Sequence, residues 1–126
     1  MILVDTSIWV DHFRSADQEL ADLLASELVL AHPFVIGELA LGGVAQRQTL
    51  IEFLQDLPQA ATASVNEALH FIRRHGLAGQ GIGYVDAHLL ASTQLSVGTR
   101  LWTRDKRLAG VAERLGLMMQ PPRPLH

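Results

Sequence analysis

The stretch Ile2-Leu3-Val4-Asp5-Thr6-Ser7-Ile8-Trp9-Val10 changes hydrophobic period partway along. Ile2–Val4 is an unbroken apolar run of the kind that forms a short buried strand. Ser7 is a helix-capping residue type, and Ile8, Trp9, Val10 and Phe13 follow as the apolar face of a helix. A strand that feeds directly into a helix is the repeating unit of α/β folds, and the rest of the chain repeats it.

Working outward, Asp17 is placed to cap a second helix carrying Leu20, Leu23 and Leu24 and ending near Ser26. Leu28–Ala31 reads as a second strand. Pro33 suits a helix first turn, and Phe34–Leu41 is apolar on nearly every face before Gly42-Gly43 stops it. Ala45–Leu57 is amphipathic and ends at Pro58, and Ala60–Ala63 has a weaker strand pattern. Ser64 with Glu67 forms a capping box for a helix reaching about His75. Residues 76–83 contain four of the ten glycines and read as a loop. Tyr84–Leu95 is a helix with Ala87, Leu90, Ala91 and Leu95 on its buried side. Arg100–Trp102 is a strand, Asp105–Leu115 a helix stopped by Gly116, and Met118-Met119 a last short strand before a loose Pro121–His126 tail. This alternation predicts a single α/β domain over residues 1–126 with a mainly parallel sheet.

The bulk composition agrees. A chain of 126 residues with 48% hydrophobic and 18% charged residues is globular in character and long enough to bury a core. Cysteine is absent, which excludes disulfides and thiolate metal sites. No apolar run approaches the roughly 18–20 residues of a membrane span, and no signal-peptide pattern is present, so a soluble cytoplasmic protein is expected. The net charge of −3 conceals an asymmetry. Residues 1–66 hold nine acids and only Arg14 and Arg47 as bases, whereas residues 67–126 hold eight bases and four acids. The bases are nearly all Arg, which suits bidentate phosphate contacts, although the same residues can simply solvate helix faces.

Four acids occupy distinctive positions. Asp5 and Asp105 close the first and third strong strand patterns, where ligands of open α/β sheets bind. Glu38 is the lone charge between Glu27 and Arg47, and Asp86 the lone charge between Arg74 and Arg100. Carboxylates gathered in one place need a positive partner, and hard divalent ions such as Mg²⁺ and Mn²⁺ prefer such oxygens. An ion of this kind lowers the pKa of a bound water and stabilises a leaving oxygen at a phosphodiester. Ser7 and Thr103 are near enough in sequence to orient Asp5, Asp105 or a water, and Arg104 and Lys106 flank Asp105 as candidate phosphate contacts. Asp5 and Asp105 could equally be plain helix caps, and Asp86 could be favoured only by a helix dipole. The six histidines form no ligand pattern. His12 and His88 read as helix-surface or core-edge residues and His32 as part of a turn.

The motifs Leu3-Val4-Asp5-Thr6-Ser7, Ile36-Gly37-Glu38-Leu39, Tyr84-Val85-Asp86-Ala87 and Trp102-Thr103-Arg104-Asp105-Lys106 occur in one order. That series resembles the PIN domain, and specifically the VapC-type toxins of type II toxin–antitoxin systems, over essentially the whole chain. The resemblance implies a three-layer α/β/α fold and Mg²⁺- or Mn²⁺-dependent endoribonuclease activity on structured RNA such as a tRNA anticodon region or a ribosomal loop. It makes Asp5, Glu38, Asp86 and Asp105 the catalytic quartet. Asp5, Asp86 and Asp105 would be metal ligands, Glu38 would act through water, and Ser7 and Thr103 would support them. It also implies a homodimer and a VapB-type antitoxin whose C-terminal segment enters the acidic site. The competing reading from the residues is a non-catalytic module whose acids hold a basic peptide.

Overall fold

In a computed structural model, which describes residues 1–120, three short strands form the centre of the protein: β1 (Ile2–Val4), β2 (Val29–Leu30) and β3 (Arg100–Trp102). The tail expected at Pro121–His126 lies outside the described residues. The strands are parallel in the order β2-β1-β3, with Leu3 opposite both Leu30 and Leu101. Isolated parallel bridges extend the sheet at each edge, Ala31 to Gln59 and Leu101 to Met118. The last of these fulfils the expectation for Met118 as a bridge. At Ala60–Ala63, in contrast, no strand forms. Pro58 offers only its carbonyl, which accepts from Ala31 N–H at 2.9 Å, and one return bond from Ala60 to Ala31 completes the contact before Ser64 starts a helix.

Seven helices flank these strands among the described residues: α1 (Thr6–Arg14), α2 (Gln18–Ala25), α3 (Pro33–Leu41), α4 (Arg47–Asp56), α5 (Val65–Arg74), α6 (Tyr84–Leu95) and α7 (Lys106–Arg114). Right-handed crossovers from β1 through β2 to the Gln59 bridge put α1–α4 over one face of the sheet, and those returning to β3 and on to Met118 put α5–α7 over the other. The helix contacts segregate accordingly, α1 with α3 and α3 with α4 on one side, α5 with α6 on the other. The result is the three-layer α/β/α arrangement. The chain leaves β1 toward β2 and later returns to the opposite side of β1 as β3. The crevice of the fold therefore opens beyond the carboxyl ends of β1 and β3.

Most helix limits follow the expected signals. The capping box is complete, with Ser64 N–H to Glu67 Oε1 at 2.9 Å and Glu67 N–H to Ser64 Oγ at 3.1 Å. Gly116 adopts φ +72° just past α7, and Pro33 takes the first turn of α3. Helix α4 is shorter than Ala45–Leu57, because Gln46 turns into the left-handed region at φ 55° before it. Helix α1 starts at Thr6 rather than after a Ser7 cap, since the Ser7 hydroxyl is engaged elsewhere.

Helix α6 is buried on nearly every side from Ala87 to Thr93, whereas Leu95, expected inside, is 44% exposed. Two histidines lie deeper than their sequence context suggests. His88 is buried, and His32 is fully buried. His32 Nδ1 accepts the Phe34 N–H at 3.0 Å, so the imidazole caps α3, and its Nε2 then donates to Ser92 Oγ at 2.9 Å. An imidazolium there would lose the cap and sit in an apolar core. Burial, with the nearby His88 adding to it, holds His32 down to about 4. The unfolded chain takes up the proton near 6.5, so protonation favours unfolding as pH falls from 6.5 toward 4. Urea unfolding should therefore show stability falling over that window by on the order of 3 kcal/mol. His32→Asn, which keeps an acceptor for Phe34 N–H, should flatten the slope between about pH 6.5 and 5, where carboxylates contribute little.

Candidate metal centre

Asp5 sits where β1 becomes α1. Its backbone occupies the helix N-cap position, but its side chain makes no cap bond. The carboxylate is buried, and its Oδ2 accepts from Thr103 Oγ1 at 2.7 Å and Ser7 Oγ at 3.0 Å. The plain-cap alternative for Asp5 is thereby removed. Both hydroxyls are also tied to the chain around them. Ser7 Oγ accepts the Arg104 N–H at 3.1 Å, and Thr103 Oγ1 accepts the Asp105 N–H at 3.1 Å. Ser7 and Thr103 thus bind the end of β1 to the end of β3 through the Asp5 carboxylate.

Asp105 is a cap, and more than one. Its Oδ1 accepts from Arg107 N–H at 3.0 Å and Leu108 N–H at 3.1 Å, fixing the start of α7. Both bonds fall on one oxygen, which leaves the other oxygen of this exposed carboxylate without a hydrogen bond from the described residues. Asp86, in the first turn of α6, takes the Gly83 N–H on Oδ2 at 3.3 Å. Glu38 projects from α3 and is exposed, so its isolation along the chain does not mean burial. It is held by Thr6 Oγ1, which donates to Glu38 Oε1 at 2.8 Å. Thr6 was not among the residues singled out from sequence. Its position directly after Asp5 was the available signal.

The four carboxylates come together in one field. Asp86 is raised above the ordinary carboxylate range, first because burial penalises its charge and then because Asp5, Asp105 and Glu38 repel it, with the Gly83 bond opposing. The burial is graded: Asp5 lies at the floor, Asp86 is half-buried, and Glu38 and Asp105 form the rim. Among the described residues no three acidic or histidine side chains approach closely enough to chelate an ion as they stand. Each acid is oriented by a hydroxyl or amide donor. The donor chemistry fits a hard divalent ion, because the four acids offer carboxylate oxygens and such ions retain several waters between themselves and protein carboxylates.

Arg104 corrects a sequence expectation. Its guanidinium binds Asp11 on α1 at 2.8 Å and also Asp17 at the start of α2, and lies 5.7 Å from the centre of the Trp102 ring. A phosphate would have to displace two carboxylates to reach it. Arg104 instead fastens the β3–α7 connection to α1 and α2, and Lys106 remains exposed at the first position of α7. A cavity of about 380 Å³ between α5 and α6, lined by His70, Phe71, Arg74, His75 and Leu95, contains none of the four acids. Cavity size alone would direct attention to the wrong part of the protein.

Comparison with known proteins agrees with this geometry. The PIN domain family profile matches residues 2–114. Ribonuclease VapC32 of Mycobacterium tuberculosis, in strain CDC 1551 / Oshkosh and again in strain H37Rv, is 45% identical over 119 residues, covering 94% of this chain and 96% of that protein. With the Asp5 and Asp105 motifs following the carboxyl ends of β1 and β3, the chain belongs to the PIN-domain family and, within it, to the VapC type.

Proposed function

We propose that this chain is a single-domain toxin of a type II toxin–antitoxin system, an endoribonuclease acting in the cytoplasm on RNA phosphodiesters. The observation that supports this most is the convergence of Asp5, Glu38, Asp86 and Asp105 on one electrostatic field at the switch point of the sheet. The likeness to a protein named as a ribonuclease supports the substrate class.

In this reading Asp5 and Asp86 would hold a Mg²⁺ or Mn²⁺ ion, with Asp105 and Glu38 assisting. A divalent cation there supplies charge neutralisation and lowers the pKa of water near the scissile phosphate. The protein's own contribution is orientation. Ser7 and Thr103 fix the Asp5 carboxylate, Thr6 fixes Glu38, and Gly83 N–H fixes Asp86. Lys106, at the rim beside Asp105, is the phosphate contact, and Arg104 stabilises the loop that presents it.

A VapB-type antitoxin would neutralise the toxin by placing an Arg or Lys among the same acids, which supplies the positive charge by other means. A homodimer is part of this proposal. A non-catalytic module would use the acids in the same way, holding a basic peptide without turnover.

The assay is cleavage of RNA by purified protein with EDTA and with Mg²⁺ or Mn²⁺ restored. Cleavage should require the ion, and Asp5→Asn and Asp86→Asn should each reduce it by about a thousandfold, the scale of several kcal/mol of metal assistance. Undiminished cleavage by both variants would exclude the quartet, and an inert wild type would favour the binding module. A stability measurement complements the assay. Because the Asp86 carboxylate is raised, its ionised form opposes folding at neutral pH. In EDTA, Asp86→Asn should melt a few degrees above wild type. Mn²⁺ should raise the wild-type melting temperature and leave the variant nearly unchanged.

A further inference from the structure

Beside the acids runs a row of rings. His32 packs edge-on against Phe34 at 5.3 Å between centroids, Phe34 against His88 at 4.7 Å, and His88 against Tyr84 at 4.6 Å and 87°. The row begins in the fully buried core and ends at Tyr84, which is 47% exposed. It also aligns two helices in antiparallel fashion. His32 meets Ser92 and Phe34 meets His88, so the next turn of α3, with Glu38, comes level with the first turn of α6, with Asp86 and Tyr84. Asp86 turns toward the acids. Tyr84, two residues earlier, turns along the ring row and flanks the site rather than lining it.

The loop of residues 76–83 joins this flank to the start of α7. Gly81 holds φ +79°, and a side chain there would strike the Arg107 stem at 2.9 Å, so the Arg107 side chain lies directly across the glycine. Among the described residues neither Arg107 nor Lys106 forms an ion pair. An exposed aromatic ring packed edge-on against His88, with an unpaired guanidinium lying over Gly81 three residues before it, is a combination single-stranded nucleic acid uses: a face for a base and a cation for the adjoining phosphate. Lys106 and Arg107 supply positive charge for an RNA phosphate on this flank, next to the acids that would take a cation.

We propose that Tyr84 is a base-stacking platform and Arg107 its partnering phosphate contact, together forming a subsite for an unpaired nucleotide next to the scissile bond. This rests on the ribonuclease reading for its substrate but not on the catalytic acids. Tyr84 touches neither metal nor reacting atoms, so it is a substrate-positioning residue, acting on binding rather than on the chemical step.

The test uses the full chain and a single-stranded RNA of roughly 12 nucleotides, a length within reach of one small binding domain. Binding is measured in EDTA, and cleavage separately with Mn²⁺. Tyr84→Phe should bind like wild type, and Tyr84→Leu, which keeps apolar packing on His88 but offers no flat face, should bind about 5- to 150-fold more weakly. The same loss should appear in KM, with kcat nearly unchanged. An abasic nucleotide scanned along the RNA should locate one position at which wild type and Tyr84→Leu become equal. Arg107→Ala should lower the salt dependence of binding by about 0.7 in the log–log slope. Equal binding by Tyr84→Leu and wild type would overturn the platform even if cleavage is robust. Tyr84-dependent binding without cleavage would uphold it while the nuclease reading fails. If Tyr84→Leu instead impairs only capture by a basic peptide, the surface belongs to a protein partner and the proposal is wrong.

Discussion

A carboxylate buried at the end of the central strand sets the terms for the rest of this protein. Asp5 lies at the junction of β1 and α1 with two hydroxyls on the same oxygen and, among the described residues, no ion pair. Burying a charge under those conditions is costly, and the cost is limited only if its donors are held in place. Ser7 and Thr103 are held because each also accepts a backbone N–H from the β3–α7 connection. Satisfying Asp5 therefore sutures the two strands on either side of the crevice, and the crevice mouth takes its shape from that suture.

The remaining acids are stationed around this floor by ordinary helix-terminus chemistry. Asp105 caps α7, Asp86 reaches back to Gly83 at the start of α6, and Thr6 steers Glu38 from the first turn of α1. Each bond is locally favourable, yet burial first, and then the like charges these bonds bring into one field, raise Asp86. Such a strained arrangement costs stability in the absence of a cation, the usual relation between a working site and the fold that supports it. Arg104, held by Asp11 and Asp17 outside the crevice, keeps positive charge at the loop without neutralising the acids it borders.

Much of this was legible in the sequence, for identifiable reasons. The strand–helix alternation, the Ser64–Glu67 box and the stops at Pro58 and Gly116 are local signals, and local signals place elements well. The acids were legible as candidates because they were isolated in sequence, but isolation says nothing about burial. Asp5 is buried while Glu38 and Asp105 are exposed. What sequence could not supply were pairings between distant segments. Thr6 with Glu38, Arg104 with Asp11 and Asp17, and His32 with Ser92 all depend on tertiary placement. His32 looked like part of a turn because it precedes Pro33. Its role as an imidazole cap emerges only when α6 closes over it.

The central claim is that the four acids form one cation site with Asp5 and Asp86 at its heart. Anomalous diffraction from crystals grown with Mn²⁺ tests it without reference to activity. The account predicts a manganese peak bridged by the Asp5 and Asp86 carboxylates, with Asp105 and Glu38 reached directly or through water. A peak elsewhere on the protein, or a manganese ion bound without Asp5 and Asp86, would contradict it.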